Sequence, residues 1–250
     1  MPMLLNKLVW GLALSTLFYT PLTQAKERIY LLAGQSNMMG RGKTQELPSN
    51  YKSTPSNVRF YYQGRPKPLA KMAYFGPEVT FAHEVAKAFP HDQHVIIKAV
   101  GTGSSIKQWQ RGKPLYYSLL RQLQLAMPQY FYSKKQPVEA IVWMQGEQDA
   151  RSGDAFKYQP QIKQFITSLR TDIAAPNSLV VIGQVNPKAP AFRLLKIVQA
   201  GQAQVAHSLP NTILVTTEGL GTTFDLVHYN AQGQMELGKR LAQAYINAKR

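Results

Sequence analysis

The sequence predicts an α/β protein in which a parallel sheet is covered by helices on both faces. Two observations predict it. Short runs rich in Val, Ile and Leu recur along the chain without the polar alternation of a half-exposed strand, which marks strands buried on both sides. Between them lie longer stretches with apolar residues at helical spacing, so strand and helix alternate as they do around parallel sheets. With 250 residues, 44% of them hydrophobic and 17% charged, the chain fits one medium-sized domain with ample material for a core.

Taken in order, Ile29 to Ala33 is a short buried strand, and Val58 to Tyr62 is a smaller one. Pro77 precedes a helix over Glu78 to Phe89, in which Val79, Ala82, Val85, Ala86 and Phe89 share a face. Val95 to Val100 is the second core strand, and Leu115 to Met127 is helical, with Leu119, Leu123 and Met127 repeating at four. Ala140 to Met144 is the third core strand. A helix over Asp154 to Ile173 turns Phe165, Ile166, Leu169 and Ile173 inward. Leu179 to Val185 is the fourth strand, Phe192 to His207 a helix, and Thr212 to Thr216 the fifth strand. The last helix runs from about Ala231 to Ala248, with Asn230 as its N-cap. The segment Arg41 to Lys71 is rich in Pro, Ser, Asn and Tyr and reads as a long surface loop near the site.

Residues 1–25 differ from the rest. Lys7 is their single charge, an apolar run from Leu8 to Tyr19 follows, and Thr23-Gln24-Ala25 ends in small residues. That pattern describes a secretory signal peptide, leaving residues 26–250 as one domain in the periplasm or the medium. The apolar run is short for a permanent membrane span, although an uncleaved anchor is the alternative. There is no cysteine, which excludes disulfides, thiolate metal sites and a lipoprotein anchor. The formal net charge of +16 is scattered, with no arginine-rich run and no nucleic-acid motif. It favours acidic surroundings such as an anionic glycan, or serves solubility alone.

Ligands of such sheets bind beyond the carboxyl ends of the strands, so the segments after each strand carry the candidate chemistry. The first strand runs into Gly34-Gln35-Ser36-Asn37-Met38. A serine at a strand-to-helix turn can present its hydroxyl above the sheet edge, with helix N–H groups near a developing oxyanion, although serine also commonly caps helices. No Gly-x-Ser-x-Gly elbow occurs. Before the final helix stands Asp225-Leu226-Val227-His228. Serine needs a base to take its proton, imidazole suits that task, and a carboxylate behind the ring fixes the useful tautomer. Gly101-Thr102-Gly103-Ser104-Ser105 follows the second core strand and lacks the pattern of a dinucleotide or phosphate loop. Gln145-Gly146-Glu147-Gln148-Asp149 follows the third and offers amides and carboxylates. His91 and His94 flank a turn with no third ligand beside them, so no metal site is indicated.

In this order the segments resemble the SGNH hydrolase superfamily, and within it the carbohydrate esterases of sialate O-acetylesterase and acetylxylan esterase type. The pieces are Gly34-Gln35-Ser36-Asn37-Met38, Phe75-Gly76-Pro77-Glu78, Gly103-Ser104-Ser105-Ile106 with Trp109, Trp143 to Asp149, and Asp225 to His228. The resemblance implies a flavodoxin-like three-layer α/β/α sandwich on a five-stranded parallel sheet, no cofactor and an O-acetylated carbohydrate as substrate. It implies Ser36 as nucleophile, His228 as base and Asp225 as the acid that orients it. It also implies an oxyanion hole from the N–H groups of Ser36 and Gly103 and the side-chain amide of Gln145, with Trp109 and Glu147 contacting substrate. Two departures leave rivals open. Gln148 stands where the superfamily places Asn, and Gly101 competes with Gly103 because the segment reads Gly-Thr-Gly where relatives pair their glycines. A lipid or thioester acyl hydrolase of the same fold, or a carbohydrate-binding protein without turnover, are the alternatives in function.

Overall fold

The structure is a computed structural model and describes residues 25–129 and 138–250. The segment read as an export signal lies outside the described residues except for Ala25. The strands are β1 (Glu27–Gly34), β2 (Gly42–Lys43), β3 (Val58–Tyr62), β4 (Arg65–Pro66), β5 (Tyr74–Phe75), β6 (Gln93–Val100), β7 (Ala140–Met144), β8 (Leu179–Gly183) and β9 (Thr212–Val215). The helices are α1 (Ser36–Met39), α2 (Glu78–Ala88), α3 (Pro114–Ala126), α4 (Glu147–Ala150), α5 (Tyr158–Asp172), α6 (Leu195–Ser208) and α7 (Ala231–Lys249).

The central sheet has seven strands in the order β4-β3-β6-β1-β7-β8-β9, two more than the five expected. All its pairings are parallel except that of β3 with β4. The first addition is β3, the small strand of the sequence, which pairs in register with β6 from Val58 opposite His94 to Tyr62 opposite Lys98. The second is β4, two residues long. It returns from β3 through Gln63 and Gly64, whose φ angles of 53° and 70° suit a tight hairpin turn. Two residues carry no periodicity, so nothing in the sequence marks them as a strand. Pro66 in β4 removes a donor from the outer edge and discourages pairing with a further chain.

β1, β7 and β8 are buried almost throughout, as their continuous apolar sequences require. Helices α2 and α7 pack on one face, and α3, α5 and α6 on the other, giving the three-layer α/β/α sandwich. Asn230 caps α7 by accepting the Gly233 N–H at 2.9 Å. The helix expected from Asp154 begins as a 3-10 turn over Gly153–Lys157 and becomes α-helical only at Tyr158. Pro160 then falls in the first turn, where its missing N–H costs no helix bond. The helix expected from Phe192 likewise begins at Leu195. The long loop after α1 is pinned at both ends by a two-stranded antiparallel ribbon, β2 with β5. Among the described residues, no helix is long and apolar enough to cross a membrane.

Candidate active site

β1 lies between β6 and β7, so the turns that follow these three strands share one edge of the sheet. Gly34 ends β1 with φ 149°, and a Cβ there would lie 2.0 Å from the Met144 carbonyl oxygen. Only glycine lets the chain leave β1 so close to β7. The Gln35 N–H then donates to that carbonyl at 2.9 Å, and Ser36 opens α1.

The far partner arrives on the loop before α7. Ser36 Oγ and His228 Nε2 are 2.9 Å apart, and His228 Nδ1 lies 2.6 Å from Asp225 Oδ2. The other carboxylate oxygen of Asp225 accepts from Thr223 Oγ1 and from the N–H groups of Val227 and His228, at 2.8, 2.8 and 2.9 Å. This tight turn holds Leu226 at φ 59°. Burial pushes the Asp225 carboxyl up, but the bonds from the His228 ring, from the two N–H groups and from Thr223 outweigh it. The group is held well below the usual carboxylate range and stays ionised.

Asn37 joins the two halves. Its Oδ1 accepts the Tyr229 N–H at 3.0 Å, while its Nδ2 donates to the Val227 carbonyl at 3.1 Å and to Glu147 Oε1 at 2.7 Å. Ser36, Gly103, Glu147, Gln148 and His228 line a cavity of about 240 Å³, whose rim also carries Arg41 and Arg151. The two rival glycines are placed differently. The Gly101 N–H is engaged by the Gly34 carbonyl at 2.9 Å, whereas Gly103 lines the cavity. Among the described residues the N–H groups of Ser36 and Gly103 make no hydrogen bond. Free N–H donors, a hydroxyl within hydrogen-bond reach of an imidazole, and a carboxylate behind that imidazole are parts that acyl transfer uses.

The comparisons with known proteins follow this geometry. A family model described as carbohydrate esterase, sialic acid-specific acetylesterase, matches residues 26–247. The chain belongs to that family. Its members are carboxylic ester hydrolases of the carbohydrate O-acetylesterase class. A curated relative in Arabidopsis thaliana, named "Probable carbohydrate esterase At4g34215", is 28% identical over 247 residues, spanning 88% of this chain and 90% of the relative. The X-ray structure of that Arabidopsis protein superposes with a TM-score of 0.76, covering 89% of this chain and 98% of that one at 23% identity. NanS gives a TM-score of 0.72 at 14% identity, covering 91% and 98%. The Xanthomonas citri carbohydrate acetylesterase XAC1771 gives 0.64 at 19% identity, covering 87% of this chain and 55% of that one. These structural likenesses share the fold of the SGNH-type esterases.

Two residues expected at the site of this acetylesterase-family chain lie elsewhere. Gln145 does not face the cavity. It is fully buried, and its Nε2 donates to the Ser104 carbonyl at 2.8 Å and to Asp149 Oδ2 at 2.6 Å, so neither hydrogen is left for an oxyanion. It braces the turns after β6 and β7 against each other. Trp109 is 1% exposed, gives its indole N–H to Ser104 Oγ at 2.7 Å and packs edge-on against Trp143. A capping box at Ser105 starts the 3-10 turn that buries this indole in the core. Glu147 does line the cavity. Burial raises its pKa against the opposing bond from Asn37, and among the described residues its Oε2 has no hydrogen-bond partner. Asp149 accepts the Ile106 N–H at about 3 Å with both oxygens, and burial raises it to about 6.

The sequence reading missed a buried ion pair beneath α1. Lys98, from β6, is 1% exposed and Glu78 is 0% exposed. The Lys98 ammonium donates to Glu78 Oε2 and to the Met39 carbonyl, both at 2.7 Å. Glu78 Oε1 accepts the Gly76 N–H at 3.0 Å. Burial pushes the Lys98 ammonium down, against the attraction of Glu78. The signal in the sequence is a lysine inside the apolar run Val95 to Val100. Lys98→Met should cost about 3–5 kcal/mol of stability, because Glu78 is left buried without its counter-charge. Urea unfolding checks this, and a loss below about 1 kcal/mol would mean that water readily reaches Glu78 beneath α1.

Proposed function

We propose that this acetylesterase-family chain is a serine hydrolase that removes O-acetyl groups from carbohydrate through a covalent acyl-enzyme. The observation that carries the reading is the chain of contacts from Ser36 through His228 to Asp225 in the wall of one small cavity. Ser36 Oγ attacks the acetyl carbonyl carbon while its proton passes to His228 Nε2. Asp225 stabilises the imidazolium so formed, and the free N–H groups of Ser36 and Gly103 receive the oxyanion. Gln148, which lines the cavity, is the side-chain amide in place for a third donor. The intermediate collapses as His228 returns the proton to the sugar oxygen, which leaves as a hydroxyl. Water then attacks the acetyl-serine, giving its proton to His228, and acetate departs as Ser36 is restored.

A cavity of about 240 Å³ favours a short acyl group over a lipid chain. The names of the relatives, carbohydrate esterase and carbohydrate acetylesterase, point the same way. We propose further that residues 1–25 direct the enzyme out of the cytoplasm, on the pattern of one charge, an apolar run and small residues. The test of mechanism is labelling with a fluorophosphonate followed by peptide mass analysis. One phosphonyl group per chain should appear on Ser36, and the labelled protein should release no acetate from acetylated sugars. Labelling at another serine, or none at all, would remove Ser36 from the role of nucleophile.

A further inference from the structure

The catalytic cavity has a neighbour. Thr102 lines both it and a second cavity of about 590 Å³, walled in part by Lys113, Pro114 and Leu115. Ligand pockets usually measure about 300–1,000 Å³. The catalytic cavity is below that range and suits the acetylated end of one sugar, while the second lies within it and leaves room for more of a glycan.

The charges at the two cavities are of one sign at the surface. Arg41 and Arg151 border the first, Lys113 borders the second, and all three are exposed. None of the three makes an ion pair among the described residues. Lys107, also at the second cavity, is already paired with Asp154 at 2.9 Å. Glu147, the acid in the wall of the first, is buried and bonded to Asn37. Guanidinium groups match carboxylates in a planar, two-pronged way, and ammonium groups act as point charges. Arg151 also lies over the Phe192 ring, 5.6 Å from its centroid, and cations without ion-pair partners spread over two adjoining cavities fit carboxylates repeated along a chain better than one carboxylate on one sugar. Pro114 and Leu115 add an apolar surface on which the C–H face of a pyranose ring can rest.

Resting on the esterase reading above, we infer that the second cavity is a subsite for the sugar next to the acetylated one in an acidic oligosaccharide. Lys113 meets the carboxylate of that neighbour, and Arg41 and Arg151 meet that of the acetylated unit. The family's description already names an acid sugar as the acetylated unit, and the subsite adds a second carboxylate-bearing sugar beside it.

The experiment compares wild type with Lys113→Glu on three substrates: an O-acetylated galacturonate oligomer, the acetylated galacturonate monomer and an acetylated xylose oligomer. Wild type should favour the acidic oligomer over the other two by about tenfold in kcat/KM, and the preference should shrink as salt rises from 50 to 500 mM. In Lys113→Glu the ratio of acidic oligomer to monomer should fall about fivefold, through KM. Equal rates on acidic and neutral oligomers, or a ratio indifferent to Lys113, would overturn the subsite. Calorimetric binding of the unacetylated galacturonate oligomer to Ser36→Ala separates the two proposals. Binding that weakens on Lys113→Glu, with no ester turned over by wild type, would sink the esterase reading and keep the glycan site. Binding unaffected by Lys113 would sink the subsite while leaving esterase activity to stand.

Discussion

Ser36→Ala should lower kcat on an acetyl ester by about 10⁴–10⁶-fold, the scale on which serine hydrolases respond to loss of the nucleophile. The covalent route closes entirely in this variant. What remains is attack by water with His228 as base and the N–H groups of Ser36 and Gly103 still in place for the oxyanion. KM should change little, since the methyl group of alanine removes one hydroxyl from a wall that otherwise stays intact. The fold should also survive. Ser36 is 6% exposed, and among the described residues its hydroxyl makes one side-chain hydrogen bond, to His228, so the loss to stability is about 1 kcal/mol. Single-turnover rates on an acetylated sugar, set beside urea unfolding of the same sample, check both halves. A variant that keeps more than a tenth of wild-type turnover would remove the Ser36 hydroxyl from the role of nucleophile.

Much of this architecture was legible because the physics behind it is repetitive. Continuous apolar strands such as Ala140 to Met144 can be satisfied only between two helical layers, and five of them separated by amphipathic helices leave few other arrangements. The chain ends of these strands then pointed to the turns at Ser36, Gly103 and Glu147. What escaped notice lacks a period. β4 is two residues on a hairpin, and Lys98 with Glu78 sit 20 residues apart on different elements. Asn37 stood beside Ser36 in the motif, yet only three dimensions show it tying Val227, Tyr229 and Glu147 together.

Gln145 and Trp109 show a different limit. Residue type said that an amide and an indole can serve a sugar esterase, but orientation decides, and both side chains turn inward toward Ser104. Arg41 and Arg151 illustrate the converse. Nothing in composition sets two arginines apart from 29 basic residues, and their place on the cavity rim comes from chain folding alone.

Asp225→Asn should reduce kcat by about 10⁴-fold at neutral pH while leaving the loop in place. The side chain uses both ends. One oxygen gathers Thr223, Val227 and the His228 N–H, and the other faces His228 Nδ1. In the amide the oxygen keeps the three donors, so the NH₂ group is set against Nδ1. That nitrogen must then be the acceptor, and the proton moves to Nε2, where it blocks transfer from Ser36. The imidazolium also loses its counter-charge. Stability carries its own signature. The folded carboxyl of Asp225 is depressed, so its contribution is present above the unfolded range near about pH 4 and disappears as pH falls through the lower folded value. Asp225→Asn should therefore be less stable than wild type at pH 7, and the gap should narrow as the solution is taken below about pH 4. Because the carboxyl is partly exposed, solvent screens that difference and keeps it small beside the kinetic effect. Turnover within tenfold of wild type would show that His228 holds its working tautomer without Asp225. Unfolding curves whose gap widened on acidification would show instead that the carboxylate is a burden on the fold.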